Sequence, residues 1–152
     1  MVSGGLSDPV AQALFDKKAP GISTYGPDSG TATDANGVTH TVNFTRTQTV
    51  ATYIYLVVRA LDGCDQATVT AAIQSAVLSY ANGLDIAEDL IIPRLYAIAY
   101  MADPSLASTF AVADAYATVA GQQGSTRDQV STAWNQKISV LASGGVTVTF
   151  QT

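Results

Sequence analysis

The feature that most constrains the fold is a long segment rich in β-branched and aromatic residues, Thr47 to Leu61. Such residues favour strands because their side chains pack well on a pleated surface. Alternation places Ile54 and Leu56 on one side of this strand and Tyr53 and Tyr55 on the other, so both sides are largely apolar. We therefore expect a central strand that is covered on both faces, or covered on one face while the other meets a neighbour.

An amphipathic helix is predicted near the start of the chain. Ser7 or Asp8 is expected to cap it, and Pro9 suits the first turn, where its missing N–H has no helical partner. Lys17 falls in the last turn, where positive charge is favoured by the helix dipole. Pro20-Gly21 is expected to end the helix.

Two further helices are predicted after the long strand. The first begins at a capping Asp65 and is expected to end at Asn82-Gly83, in the left-handed conformation that a helix C-terminus often adopts. The second lies between Asp89 and Met101, with Pro93 in its first turn. Both carry apolar residues at helical spacing, and we expect these residues to pack against the sheet.

Turn and strand patterns fill the rest of the chain. Asn36-Gly37 lies between two alternating segments and predicts a β-hairpin. Phe110 to Val119 alternates loosely and favours a strand, with an alanine-rich helix as the rival interpretation. Gly121 to Asn135 is polar and loop-like, whereas Ile138 to Leu141 and Val146 to Phe150 predict a terminal hairpin.

These elements predict an α+β fold: a mainly antiparallel sheet with two helices packed on one face, plus an N-terminal helix and β-hairpin. We expect one domain over residues 7–152, with a helix and hairpin arm at 7–46 and an α+β core at 47–152. Residues 1–6 are predicted to be disordered or vector-derived.

Composition narrows the classes of function. Only 12% of the residues are charged, against a usual value of about 25%, and the net charge is −5. Thr, Ser, Gln and Asn must therefore fill much of the surface. Such an uncharged surface is easily desolvated, which favours burial against partner subunits. The alternative interpretation is a threonine-rich globular domain without such partners. Nucleic acid is an unfavourable partner because the seven basic residues form no extended cluster. The sequence has no signal peptide pattern and no apolar run of about 20 residues, so no membrane insertion is expected.

The search for reactive groups predicts no catalytic, cofactor-binding or metal site. His40 is the sole histidine and is expected in a strand, while the lone Cys64 is expected to be a small, partly buried residue. Zinc would need further ligands. Gly21 to Gly26 has the glycine spacing of a phosphate loop but lacks its Lys and Ser/Thr, and Asp34 to Gly37 lacks the later ligands of a calcium loop.

Two groups of polar residues remain. Asp85, Glu88 and Asp89 are expected at the start of the third helix, where the dipole favours negative charge. Several tyrosines are interface candidates because tyrosine is enriched at interfaces, although each is equally suited to a core with its hydroxyl at the rim. Tyr53, Tyr55, Tyr96 and Tyr100 are the residues that we expect at a possible subunit interface.

Three ordered patterns resemble the C-terminal region of the baseplate J-like family, the wedge proteins of contractile phage tails. The first is Lys18-Ala19-Pro20-Gly21-Ile22-Ser23-Thr24-Tyr25-Gly26, preceded by Val10 to Leu14. The second is the turn at Asp34 to Gly37 followed by Val42-x-Phe44-x-Arg46. The third is Leu90-Ile91-x-Pro93-Arg94-Leu95-Tyr96-Ala97-Ile98, preceded by Ile73-x-x-Ala76-Val77. The chain departs from the family at Met101 to Leu106, where a Val-Gly-Val-like element is usual.

This resemblance implies a non-enzymatic structural role in a phage or prophage virion, assembled in the bacterial cytoplasm. The implied partners are other baseplate wedge and hub proteins, together with copies of the chain itself in the assembled ring. The alternative is a small-ligand or carbohydrate-binding module of an adhesin-like protein. An enzyme that uses His40 is a third option.

Overall fold

A computed structural model describes residues 1–19 and 21–151. Its helices and strands follow one another along the chain as α1 (Ser7–Lys17), β1 (Asp28–Thr33), β2 (Thr39–Phe44), β3 (Gln48–Ala60), α2 (Gln66–Gly83), β4 (Leu90–Ile91), α3 (Arg94–Met101), β5 (Phe110–Val119), β6 (Gln129–Val130), β7 (Gln136–Ser139) and β8 (Val146–Gln151). The α+β class predicted from the sequence is confirmed. The chain divides into two compact units, Met1–Gln48 and Thr49–Thr152.

In the first unit, α1 packs on an antiparallel hairpin formed by β1 and β2. Ala11 of the helix and Val42 of the hairpin are buried in its small core. The helix lies so close to β1 that a Cβ added at Gly30 would sit 2.4 Å from the carbonyl oxygen of Ser7. Glycine is required there because any side chain would force the two elements apart.

The hairpin turn and the start of α1 differ from expectation in detail. Five residues, Asp34–Val38, connect the strands, with Gly37 in the left-handed region at φ 77°. The Asp34 carboxylate accepts the backbone N–H of Val38 at 2.9 Å. The expected cap on α1 is wrong, because Leu6 occupies the N-cap position without a side-chain hydrogen bond. The expected helix stop involves Pro20, which lies outside the described residues.

The first residues of the chain contact the end of the hairpin unit, although residues 1–6 were expected to lack structure. Val2 forms a parallel bridge with Arg46. The Arg46 guanidinium donates to the carbonyl oxygens of Gly4 at 3.1 Å and Gly5 at 2.9 Å. A charged donor therefore fixes the backbone of this segment by two hydrogen bonds.

In the second unit, β3 is the centre of a four-stranded sheet. It pairs antiparallel with β5 along one edge and parallel with β8 along the other, and β7 also pairs with it. A β-bulge shifts the register between β3 and β5 at Val57 and Val58. The interpretation of β3 as a central strand is therefore confirmed.

Helices cover one face of this sheet. Ile54, Leu56 and Val58 of β3 are fully buried, and α2 and α3 pack against the strands on that side. The core is completed by apolar residues at helical spacing on α2, which are Val69, Ile73, Val77 and Ala81, and by Leu95 and Ala99 of α3. On the other face, the described residues leave Tyr53 and Tyr55 half-buried.

The predicted terminal hairpin is wrong. β7 and β8 each pair with β3, and β8 runs parallel to it. The loop between them ends at Gly145, whose carbonyl oxygen accepts the N–H of Ile54 at 2.9 Å. The pattern located β8 and overlaps β7, which begins two residues earlier than expected, at Gln136. Alternation carries no information about which partner a strand selects.

The end of α2 also differs from expectation. Its C-cap is Leu84 in an extended conformation, and Gly83 has no positive φ, so the expected left-handed C-terminus is wrong. Asn82 instead makes a long-range contact. Its side-chain amide donates to the carbonyl oxygen of Val140 at 3.0 Å and accepts the N–H of the same residue at 2.9 Å.

Candidate subunit interface

The sheet face opposite the helices, called here the outer face, is formed by the side chains of the second unit's strands that point away from its core. It is defined by alternate residues of three neighbouring strands: Tyr53, Tyr55, Val57 and Arg59 of β3, Asp114, Tyr116 and Thr118 of β5, and Thr147, Thr149 and Gln151 of β8. Most of these side chains are half-buried. The outer face is therefore mostly uncharged and combines aromatic rings with threonine hydroxyls.

An aromatic pair lies across the centre of the outer face. Tyr55 and Tyr116 are directly paired residues of β3 and β5, and their rings stack with centroids 5.0 Å apart. Cross-strand aromatic pairs stabilise a sheet and limit ring motion. The stacking therefore limits the motion of both rings.

The acidic residue of the outer face is neutralised locally. Arg127 donates hydrogen bonds to both carboxylate oxygens of Asp114; the shortest distances to the two oxygens are 2.7 Å and 3.0 Å. The Arg127 guanidinium also lies 5.3 Å from the centroid of the Tyr116 ring. These hydrogen bonds hold the pKa of Asp114 below its usual value and raise the pKa of Arg127. The Asp114–Arg127 pair therefore fixes the positions of both side chains and adds little net charge to the outer face.

The structure separates the four candidate tyrosines into two pairs. Tyr53 and Tyr55 lie on the outer face, whereas Tyr96 and Tyr100 lie on α3 and pack against the core. The Tyr96 hydroxyl accepts the N–H of Ala115 at 3.1 Å. The Tyr100 hydroxyl accepts the N–H of Val112 at 3.0 Å, and its ring stacks on Phe110. This second pair thus makes defined contacts within the chain.

His40 lies on β2, as expected, in a small polar environment. Its Nε2 is 3.1 Å from a carboxylate oxygen of Asp34, and its ring stacks on Phe15 with centroids 4.9 Å apart. The hydrogen bond from His40 is the main cause of the lowered pKa of Asp34. Cys64 is half-buried at the edge of the main core. These contacts tie His40 to the hairpin turn and to α1.

The acidic group is not at a helix start, so that prediction is wrong. Asp85, Glu88 and Asp89 precede the short strand β4, and α3 begins later at Arg94. Glu88 accepts the N–H of Asp85 at 2.9 Å, and Asp89 accepts the N–H of Thr132 at 2.7 Å. Among the described residues, no group of three or more His, Cys, Asp or Glu side chains is arranged to hold a metal ion.

Sequence reasoning missed a polar groove of about 660 Å³ at one end of the sheet of the second unit. It also missed Trp134, the single tryptophan, which is 66% exposed and lies two positions before the groove residue Gln136. The groove residues are dispersed from position 49 to 136, so no local spacing connects them. The exposed tryptophan in a polar loop was the one available signal.

Comparison with models of known protein families finds no match to this chain. A search of curated proteins also finds none that is significantly similar. In the described part of the chain, none of the helices combines the length and the apolar character that crossing a membrane requires.

Proposed function

We propose that this protein is a structural wedge component of a phage or prophage contractile-tail baseplate and that it mediates subunit assembly. The ordered sequence patterns that resemble the baseplate J-like family support this role, and the confirmed α+β class agrees with it. The observation that carries the proposal is the outer face, with its stacked tyrosines and its Asp114–Arg127 pair. The proposed partners are neighbouring wedge and hub subunits, and the proposed location is the virion tail.

The composition of the outer face suits a protein contact. Tyrosine is enriched in interface cores, while unpaired charge is depleted there because its desolvation is costly. The only acidic residue among those that define the face is already paired with Arg127. The other charged residue of the face, Arg59, is exposed near the end of β3, and arginine is itself enriched at interfaces. Tyr55 and Tyr116 keep their ring positions through stacking, which reduces the entropy lost when a partner binds.

A second feature that supports assembly is the edge of β8. β8 pairs with β3 on one side, and within residues 1–19 and 21–151 no strand pairs with its other side. Edge strands present backbone donors and acceptors to which an extended segment of another chain can add. Gln74 of α2 donates to the carbonyl oxygen of Val146 at 3.0 Å and so covers only the start of this strand.

The test is co-purification with wedge and hub proteins encoded beside the gene. Thr149→Lys places a charge on the exposed part of the outer face, and we expect it to reduce recovery of the partner at least tenfold, or about 1.4 kcal/mol. Thr41→Lys is the matched control, since Thr41 is also an exposed strand threonine but lies on β2. Failure of the unmodified protein to bind any such subunit would contradict the assembly role. If both variants bind the partner equally well, the outer face is not the surface that the partner contacts.

The alternative function is a small-ligand or carbohydrate-binding module of an adhesin-like protein. The polar groove near Trp134 is the observation that favours it. A glycan array separates the two functions, because saturable glycan binding without association with tail proteins supports the module. Tail-tube, spike or fibre genes next to the gene would support the wedge role instead.

A further inference from the structure

We propose that the groove beside Trp134 is a binding site for a neutral oligosaccharide. It has a volume of about 660 Å³ and lies within the second unit, at the start of β3 and the end of β5. Its polar lining consists of three glutamines and three hydroxyl residues: Gln122, Gln129, Gln136, Thr49, Thr126 and Ser131. This proposal rests on the alternative function and is independent of the outer face.

The chemistry of the lining selects an uncharged ligand rich in hydroxyls. No lining residue carries a charge, and the remaining ones are valine and alanine. The nearby Asp89 carboxylate is already occupied, because it accepts Thr132 N–H at 2.7 Å and the Gln129 amide at 3.2 Å. Glutamine amides both donate and accept hydrogen bonds, as sugar hydroxyls do, so the two groups are complementary.

Part of this hydrogen-bonding capacity is unused. Among the described residues, the Gln122 side chain makes no hydrogen bond, although its backbone N–H is fixed to Val119 at 3.1 Å. Gln136 uses its amide oxygen to accept the N–H of Ala133 at 2.9 Å, while its amide nitrogen has no acceptor among those residues. The backbone is thus held in place while several side-chain groups remain available to a ligand.

Trp134 adds an exposed aromatic side chain in the loop that reaches the groove at Gln136. It lies two positions before Gln136, so the two Cα atoms are separated by about 7 Å at most. A hydrogen bond from Gln136 N–H to the Ala133 carbonyl at 2.9 Å closes this turn and fixes the backbone between Trp134 and the lining residue Gln136. Exposed tryptophan offers a flat apolar face with a polar N–H, and the C–H face of a pyranose ring packs on such a surface.

The experiment uses the emission of Trp134, which reports binding directly because it is the single tryptophan. The full chain is titrated with maltotriose, cellotriose and N,N′,N″-triacetylchitotriose, and with a hyaluronan tetrasaccharide as the charged comparison. We expect a saturable emission change with at least one neutral sugar and a dissociation constant on the order of 1 mM or lower. The charged sugar should bind at least tenfold more weakly.

Two variants locate the site. Gln122→Ala should weaken binding about 5- to 10-fold, since it removes one ligand hydrogen bond and the Gln122 side chain makes no hydrogen bond to the described residues. Gln66→Ala is the matched control, because Gln66 is an exposed glutamine at the start of α2 and should bind as the unmodified chain does. Trp134→Ala, followed by calorimetry, should abolish measurable binding.

Three results would overturn the proposal. The first is no saturable change with any neutral sugar up to about 10 mM, ten times the weakest constant expected. The second is binding of the charged sugar alone. The third is equal affinity of the Gln122→Ala and Gln66→Ala variants, which would place any sugar site elsewhere on the chain.

Discussion

The strongest stability prediction concerns the two tyrosine hydroxyls that close the edge of β5. Tyr96 accepts the N–H of Ala115, a residue only 1% exposed, so that N–H has no access to water once the hydroxyl is removed. An unsatisfied buried donor costs about 1–3 kcal/mol. We therefore expect Tyr96→Phe to lower the free energy of unfolding by that amount, and Tyr100→Phe to lower it by less, because its partner Val112 is only half-buried. With a urea m-value of about 2 kcal/mol/M, the midpoint of Tyr96→Phe should fall by roughly 0.5–1.5 M.

Far-UV circular dichroism in urea measures the midpoint, and amide hydrogen exchange shows whether the lost protection is local. Tyr80→Phe is the matched control, because the Tyr80 hydroxyl is buried without a hydrogen-bond partner among the described residues. The same chemical change should be neutral or stabilising there. If Tyr96→Phe unfolds at the same urea concentration as Tyr80→Phe, and Ala115 keeps its protection from exchange, the hydroxyl does not support this edge.

Three further predictions concern packing and charge. Leu56→Ala should cost about 2–5 kcal/mol in urea unfolding, and a loss below about 1 kcal/mol would mean that the β3 core is not tightly packed. Gly30→Ala should cost about 1–3 kcal/mol and lower the melting temperature, because the new Cβ meets the Ser7 carbonyl; an unchanged melting temperature would contradict this close approach. Arg127 lowers the pKa of Asp114, so the stability from this pair is fully present above the unfolded pKa of about 3.9 and is lost as the pH falls through the lower folded value. Asp114→Asn should remove this part of the acid dependence in urea titrations at several pH values, and an unchanged dependence would show that the pair contributes nothing.

Both units close a strand edge with helix side chains four positions apart. On α1, Asp8 accepts the N–H of Thr31 at 2.8 Å and Gln12 accepts that of Thr33 at 2.8 Å. Four helical residues rise about 6 Å, close to the roughly 6.6 Å between alternate strand residues. This geometry satisfies backbone donors that would otherwise attract another strand.

The same spacing occurs on α3 with Tyr96 and Tyr100. Their partners Ala115 and Val112 are three positions apart in sequence, but the β-bulge in β5 places an extra residue between them. The bulge therefore keeps the spatial separation near that of two strand residues. Helical periodicity indicated which residues are neighbours on α3, but it gave no information about the strand that their hydroxyls reach.

Much of the fold could be predicted because its signals are local. The alternation of β3, the capping Asp65 and the periodicity of α2 all act within a few residues, and each predicted element is present. The α+β class follows from these elements, since helices and strands with apolar faces must cover one another. Two of the candidate interface residues, Tyr53 and Tyr55, also lie on the outer face for a local reason, namely their alternation with buried neighbours.

The sequence by itself determined the three helices, the longer strands and the low charge of the surface, because propensity, periodicity and composition depend on neighbouring residues. It did not indicate the two-residue strands β4 and β6. Only the tertiary structure decided that β8 runs parallel to β3, that Asn82 holds Val140, and that Tyr96 faces β5. These contacts join residues far apart in the chain, and their selection depends on which pairing satisfies the most backbone groups while burying the shared core. The groove beside Trp134 has the same origin, since its walls come from separate strands and loops that meet only in the folded chain.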